Sequence, residues 1–181
     1  MTLLPVPIVR QESHYSCGAA ALAACLIYWK VWFLSRERDL WAALGTCAAT
    51  GTEAGPIVKV ARTHGLVASY RRRWGVADLR KSLGKGETVI IAVQAWTDRA
   101  VADWSEVWDD GHWVVVVGLD DEKVYVMCPS IGEGYGYVDL SELAARWHDL
   151  DARSRKTHGI AVVLRGKERL DSFPAPPRRL G

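Results

Sequence analysis

Residues 17–33 read CGAAALAACLIYWKVWF, an alanine- and leucine-rich run with almost no polar residues. Alanine and leucine favour helix, and a helix without a polar face must be buried nearly all round its circumference. The apolar stretch 19–34 is too short for a bilayer and contains Lys30. We therefore predict a helix in the core of a globular domain rather than a membrane segment.

The sequence changes from helical to extended patterns after residue 66. Residues 88–94 (TVIIAVQ) and 112–119 (HWVVVVGL) are β-branched runs that predict buried strands. The pair Asp120-Asp121 predicts a turn that joins 112–119 to 123–127 as a hairpin. Further strands are predicted at 67–70, 135–140 and 159–164, and further helices at 35–44, 56–65, 78–83 and 141–148. Because helices precede most strands, the predicted fold class is α+β with an antiparallel sheet.

The composition fits one globular domain followed by a tail. The chain has 181 residues and a formal net charge of +2, which favours neither nucleic acid nor a membrane as a partner. Its four cysteines form no CxxC pair, so no metal site or disulfide scaffold is indicated, and we find no secretory signal. We predict a cytoplasmic protein with one domain over 1–165 and a basic, proline-rich tail over 166–181.

Two distant residues could together form a nucleophile and its base. Cys17 opens the predicted helix, where the helix dipole and unpaired backbone amides lower the pKa of a thiol. His112 begins a buried strand, which would hold its imidazole beside a cleft and make it a base for Cys17. Gln11, six residues before Cys17, has an amide that could donate to an oxyanion. The alternative for Cys17 is a buried structural thiol, as we expect for Cys25 and Cys47.

These residues resemble the bacteriocin-processing, double-glycine-specific peptidases, a branch of the papain-like cysteine peptidases. The resemblance covers about residues 8–150. The matching segments are Gln11, Cys17-Gly18 with AAAL, 111–116 (GHWVVV), the turn 118–121 (GLDD), 124–126 (VYV), Pro129-Ser130, 134–140 and 145–149. The resemblance implies a papain-like fold in which the nucleophile begins a buried central helix packed on the sheet. It also implies Cys17 as nucleophile, His112 as general base and acid and Gln11 in the oxyanion hole, without a metal or organic cofactor.

The implied substrate is a peptide or protein, and in this family it is a leader peptide cut after a small-residue pair such as Gly-Gly. We select Gly18, Trp108, Gly111 and Trp113 as candidate substrate-binding residues. Gly18 allows another backbone or a substrate to come close. Trp108 lies in the long loop 95–110, which precedes His112 and is predicted to border the cleft as a lid. The oligomeric state is left open.

One position departs from the family pattern. The family has an aspartate and a proline after the hairpin, and the aspartate orients the histidine, whereas this chain has Cys128-Pro129. A neutral thiol accepts hydrogen bonds poorly and does not stabilise an imidazolium. Three interpretations stay open: an enzyme with a weakened orienting group, a noncatalytic peptide-binding module, or a Cys128 with a role of its own in a disulfide switch or Cys/His metal site. Candidate substitute carboxylates are Asp120, Asp121 and Asp149, and acyl transfer to an amine is a further alternative to hydrolysis.

Overall fold

The computed structural model describes residues 3–33, 36–97, 100–151, 153–172 and 177–179. The helices are α1 (Cys17–Tyr28), α2 (Trp41–Leu44), α3 (Ala54–Thr63), α4 (Val76–Gly84) and α5 (Leu140–Arg146), with 3-10 turns at Glu37–Leu40 and Trp104–Glu106. The strands are β1 (Val67–Arg71), β2 (Thr88–Gln94), β3 (Gly111–Leu119), β4 (Lys123–Met127), β5 (Tyr135–Asp139), β6 (His148–Leu150), β7 (Lys156–His158), β8 (Ala161–Arg165) and β9 (Pro177–Arg179). The predicted α+β class is confirmed.

The main sheet has seven strands in the order β1-β8-β2-β3-β4-β5-β9. Neighbouring strands are antiparallel except β5 and β9, which are parallel. Alternate residues of the central strand β3 belong to two separate hydrophobic clusters, with Val115 and Val117 on the side of α1 and Val114 and Val116 on the side of α4 and α5. Because both faces of β3 are covered, the strand is a continuous run of valines instead of an alternating pattern.

Helix α1 is buried almost completely, as predicted from its sequence. Eleven of its twelve residues are buried, and none of them carries a charged side chain, so the helix packs directly against the sheet. It ends at Tyr28, before the apolar run does, because Lys30 adopts a positive φ of 55°. Within the described ranges, no helix is long and apolar enough to cross a membrane.

Several boundaries differ from the sequence prediction. The helix expected at 35–44 is a 3-10 turn followed by the short α2, which Gly45 ends at a φ of +64°. The helix expected to reach His148 ends at Arg146, and His148 instead begins β6. Strands β6 and β7 form a separate antiparallel ribbon over 148–158 that the sequence analysis did not predict.

The segment predicted as a tail is docked where the structure describes it. The Leu170 N–H donates to the carbonyl of Tyr28 at 2.8 Å, and β9 extends the sheet beside β5. Residues 173–176 and 180–181 of the predicted tail lie outside the described ranges. The boundary at residue 165 stays a prediction, but the chain beyond it contacts the domain.

Gly159, directly after β7, lies very close to the backbone of Arg73 and Trp74. Its substitution provides a stability test. At a φ of +58°, a Cβ there would overlap the backbone N and O of Trp74 and lie 2.9 Å from the carbonyl carbon of Arg73. We expect Gly159→Ala to reduce the free energy of unfolding by about 3 kcal/mol or more, since backbone atoms cannot move aside cheaply.

Gly45→Ala is the matched control, because Gly45 has a similar φ of +64° but no atom within 4 Å of the position that an alanine methyl group would take. It should cost only the left-handed strain of about 1 kcal/mol. Thermal denaturation measures both variants, at roughly 2–4 °C per kcal/mol for a chain of this size. Equal losses would contradict the close approach at Gly159.

Candidate active site

The N-terminus of α1 and the start of β3 meet at an open cavity of about 440 Å³. Three of the sequence-predicted residues on its wall come from these elements: Cys17, Gly111 and Trp113. Trp108, also predicted, lines the same cavity. The fold therefore brings the proposed nucleophile and three of the four proposed substrate-binding residues to one place.

Cys17 is buried, and its thiol faces the backbone of β3. The Trp113 N–H donates to Cys17 Sγ at 3.5 Å. Burial raises the pKa of the Cys17 thiol to about 11, although hydrogen bonds from the backbone of Trp113 and Gly18 act in the opposite direction. The predicted lowering of this pKa is therefore wrong for the resting protein, because loss of water outweighs the helix terminus and both amides.

Gly18 lies behind the cavity wall and packs against protein. A Cβ at Gly18 would lie 2.7 Å from Cβ of Thr52 and 3.0 Å from Cδ1 of Trp113. The Trp113 indole N–H in turn donates to the Thr52 carbonyl at 2.8 Å. The close approach predicted for Gly18 is thus to neighbouring side chains, and it lets α1 lie against Trp113.

Glu37 anchors Ser16, the residue before Cys17, and sequence reasoning missed it. Its buried carboxylate accepts the Ser16 hydroxyl and the Glu12 N–H, each at 2.7 Å, and the indole N–H of Trp41. Three donors to one carboxylate compensate for its burial. They fix the turn that leads into Cys17, and no local pattern around Glu37 signals this long-range role.

His112 forms a buried pair with Cys128. Its Nε2 lies 3.2 Å from Cys128 Sγ, and both side chains are almost fully buried. Burial lowers the pKa of the His112 imidazole to about 4 and raises the pKa of the Cys128 thiol. Trp96, which has a positive φ of 65°, presents its ring edge-on to the imidazole with 6.5 Å between centroids. Both partners of the pair are therefore neutral near pH 7.

Two of the proposed substitute carboxylates lie in the β3–β4 turn. Asp120 accepts the N–H groups of Glu122 and Lys123 and the hydroxyl of Tyr125, which places it in the turn rather than beside His112. Asp121 forms an exposed ion pair with Arg80 at 3.1 Å. The atom beside His112 Nε2 is the Cys128 sulfur, so neither aspartate occupies the orienting position.

Gln11 lies outside the cavity that contains Cys17. Its Nε2 donates to the Ser13 carbonyl at 2.7 Å, and its Oε1 accepts the Ser130 hydroxyl at 3.1 Å. With Ser130 it lines a separate shallow depression. The amide predicted to serve an oxyanion is thus engaged locally in the resting structure.

The described part of the loop 95–110 forms one wall of the cavity through Trp108. The indole ring stacks at 4.0 Å on His148, and Lys156 Nζ lies 4.5 Å from its centroid. The His148 Nε2 lies 2.6 Å from the Val107 carbonyl oxygen, and Gln94 Nε2 donates to the His148 carbonyl at 3.0 Å. The β6–β7 ribbon therefore holds the loop in place. Residues 98–99 of the predicted lid lie outside the described ranges.

Asp149, the third proposed substitute carboxylate, is on the cavity wall. It lies in β6, and its Oδ1 accepts the Leu150 N–H at 2.8 Å. Burial raises the pKa of this carboxyl to about 6. It is therefore the one candidate carboxylate of the three that shares the cavity with Cys17.

The four cysteines are all free thiols. Among the residues that the structure describes, no group of three or more His, Cys, Asp or Glu side chains could hold a metal ion. The interpretation of Cys128 as a metal ligand therefore has no support in this geometry.

The pKa directions predict the order in which the thiols react. We expect iodoacetamide to alkylate Cys47 faster than Cys17 at pH 7, since the exposed Cys47 has a lowered pKa through its hydrogen bond with Thr50. Cys25, with its pKa raised to about 12 by burial, should react slowest. Peptide mapping by mass spectrometry measures each rate. The Cys17 rate should keep rising with pH above 9, and a plateau below pH 8 would show a resting thiolate instead.

Comparison with known proteins assigns this chain to a family. A family model described as the Peptidase C39-like family matches residues 3–154. None of the curated proteins compared matches the chain. A double-glycine-motif protease from an AMS/PCAT transporter, solved with its leader peptide, is 22% identical with a TM-score of 0.63 over 91% of this chain and 94% of that one.

Two further solved structures have the same fold. A C39-like peptidase from Bacillus anthracis is 17% identical, with a TM-score of 0.67 over 92% of this chain and 98% of that one. The peptidase domain of Streptococcus ComA is 18% identical, with a TM-score of 0.62 over 90% of this chain and 99% of that one. The predicted arrangement of helices on an antiparallel sheet is thereby confirmed, and the chain belongs to the Peptidase C39-like family.

Proposed function

We propose that the protein is a cysteine peptidase that cleaves peptides with Cys17 as nucleophile and His112 as general base and acid. The observation that carries this proposal is the placement of the Cys17 thiol. It lies on the wall of an open cavity, at the start of a buried helix and 3.5 Å from the amide that follows His112. Membership of a peptidase family supports the same conclusion.

The reaction starts from a neutral thiol and a neutral imidazole. As Cys17 Sγ attacks the amide carbonyl carbon, its proton passes to His112 and an oxyanion forms. The imidazolium then protonates the leaving amine, the C–N bond breaks, and a thioester remains. Water, deprotonated by the same imidazole, hydrolyses the thioester and restores the thiol. Gln11 contributes to the oxyanion hole if its amide exchanges the Ser13 carbonyl for the substrate oxygen.

Cys128 determines how well His112 can act as a base. An aspartate beside Nε2 only accepts, so it holds the proton on Nε2 and leaves Nδ1 free to take a proton from the nucleophile. A neutral thiol can donate to Nε2 as readily as it can accept from it. It therefore does not impose the productive tautomer, and it adds no negative charge to stabilise the imidazolium. We propose that Cys128 makes this a slow enzyme.

The substrate we propose is a leader peptide cut after a small-residue pair, because one structural relative is a double-glycine-motif protease solved with its leader peptide. The free thiols fit action in the reducing cytoplasm. A second candidate is a peptide-binding module without catalysis, favoured by the neutral state of both Cys17 and His112. Acyl transfer would share the thioester and differ only in the acceptor.

Loss of the nucleophile tests the main proposal. We expect Cys17→Ala to abolish cleavage of Gly-Gly-containing peptides, a fall of about 10³-fold or more, because no thioester can form. Mass spectrometry of the products measures it. Cys47→Ala, which removes an exposed thiol outside the cavity, is the control and should keep full activity. Binding without cleavage in the wild type would favour the noncatalytic module.

Restoring a carboxylate tests the role of Cys128. We expect Cys128→Asp to raise kcat by about tenfold or more, since loss of an orienting aspartate costs up to about 10⁴ in related chemistry. The acid limb of the pH–rate profile should also move upward from its position near the His112 pKa of about 4, because an anion stabilises the imidazolium.

Cys128→Ser is the matched control, since a hydroxyl also donates and accepts and should give neither the gain nor the shift. Thermal denaturation checks that the buried aspartate is tolerated. Reduced activity in the aspartate variant with an unchanged fold would show that the thiol has a role of its own.

A further inference from the structure

The Asp149 carboxylate lies against Gly111, at the start of the strand that contains His112. A Cβ on Gly111 would lie 2.6 Å from Asp149 Oδ1 and nearer still to Oδ2. Only glycine at position 111 therefore leaves space for this carboxylate. The Leu150 N–H donates a hydrogen bond to Oδ1 at 2.8 Å. The side chain is thus held on the cavity wall rather than left to move in solvent.

The described part of the cavity wall carries several acidic side chains. Among the described residues that line the cavity there is no lysine or arginine, whereas Glu53, Asp109 and Asp151 line it as well. Asp151 pairs with Arg155 at 2.7 Å, and this pair lowers the Asp151 pKa to about 2. For Asp149, burial is instead the largest influence and raises the pKa to about 6.

The position of Asp149 argues against a role as orienting residue. His112 Nε2 is occupied by the Cys128 sulfur at 3.2 Å, so the orienting position is filled. The negative charge of Asp149 is also among the causes that raise the Cys17 pKa. A carboxylate that disfavours the thiolate in the empty cavity does not serve the nucleophile until something neutralises it.

The cavity walls suit a cationic side chain. Four aromatic residues line it together with Asp149: Tyr15, Tyr70, Trp108 and Trp113. Two of them already have a cation of this chain over their rings, Arg72 at 5.8 Å from the Tyr70 centroid and Lys156 at 4.5 Å from the Trp108 centroid. Aromatic faces attract cations, and a half-buried carboxylate such as that of Asp149 accepts hydrogen bonds from a guanidinium or ammonium group. The same cavity contains the Cys17 thiol, so a peptide side chain bound there would lie close to the bond that Cys17 attacks.

We infer that Asp149 is a specificity-determining residue that recognises a lysine or arginine side chain of the substrate peptide next to the scissile bond. This inference rests on the proposed function of the same site. Binding of such a side chain would neutralise Asp149 and remove one of the charges that oppose ionisation of Cys17. Substrates with a basic residue there would then react faster as well as bind more tightly.

A charge-matched pair of thiol reagents tests the site without requiring any peptidase activity. Methanethiosulfonate ethylammonium is a cation and methanethiosulfonate ethylsulfonate an anion, and each converts a thiol to a mixed disulfide. We expect the cation-to-anion rate ratio at Cys17, divided by that at the exposed Cys47, to exceed about tenfold. Peptide mapping by mass spectrometry gives both rates in one sample.

Asp149→Asn should reduce this normalised ratio several-fold, whereas Asp151→Asn should leave it unchanged. Both variants remove one negative charge from the same wall, but only Asp151 is paired with an arginine. Asp149→Ala serves where the asparagine variant does not fold. A wild-type ratio near one, or a ratio that survives both Asp149 substitutions, would overturn the inference.

The second arm compares how fast the wild type cleaves two sets of acetyl-capped peptides. One set contains arginine and the other its uncharged isostere citrulline, placed in turn at each position within three of a Gly-Gly pair. Faster cleavage with arginine at one position, lost in Asp149→Asn, supports the inference. Cleavage indifferent to charge at every position contradicts it and leaves the peptidase proposal standing. If the reagent ratio depends on Asp149 but no peptide is cleaved, recognition of a cation is supported and the peptidase proposal fails.

Discussion

Exclusion of water where α1 meets β3 is the constraint that governs the chemistry of this site. The helix terminus and two backbone amides favour a Cys17 thiolate, yet burial raises the pKa of the thiol to about 11. Burial beside Cys128 lowers the pKa of His112 to about 4. Each shift disfavours a charge, so both groups rest neutral. In the proposed mechanism, a proton must therefore pass from Cys17 to His112 as Cys17 attacks the substrate.

The same constraint bears on Cys128, which stands where the pattern of the resembled family has an aspartate. A carboxylate with no exposed surface needs several donors or a cation, and leaving it unpaired costs several kcal/mol. Glu37 shows what this chain provides when it buries a carboxylate, namely three donors around one side chain. Cys128 is a smaller, neutral group that is easy to bury beside His112. In the proposed mechanism, Cys128 does not control the imidazole tautomer as an aspartate does.

The elements that could be predicted from the sequence are those with a strong local pattern. The alanine-rich run predicts a buried helix, α1, and the valine run predicts a buried strand, β3. Together these two elements place Cys17 beside the strand that begins at Gly111 and His112. The β6–β7 ribbon escaped prediction because strands of three residues with polar members, such as His148–Leu150, have no measurable period. The Cys17 pKa was wrongly predicted for a related reason, since burial of a helix terminus depends on distant segments such as the turn at Glu37.

The proposed recognition and the proposed chemistry lie on separate parts of this fold. Cys17 and His112 belong to α1 and the main sheet, whereas Asp149 and the His148 ring that stacks on Trp108 belong to the β6–β7 ribbon. The ribbon is tied to the main sheet through Gln94, at the end of β2, which binds the His148 carbonyl with its amide nitrogen and accepts the Asp110 N–H with its oxygen. A short ribbon fixed at its base can change its side chains without displacing the sheet. If the proposed function holds, this wall is therefore the part of the cavity in which substrate preference can vary while Cys17 and His112 keep their geometry.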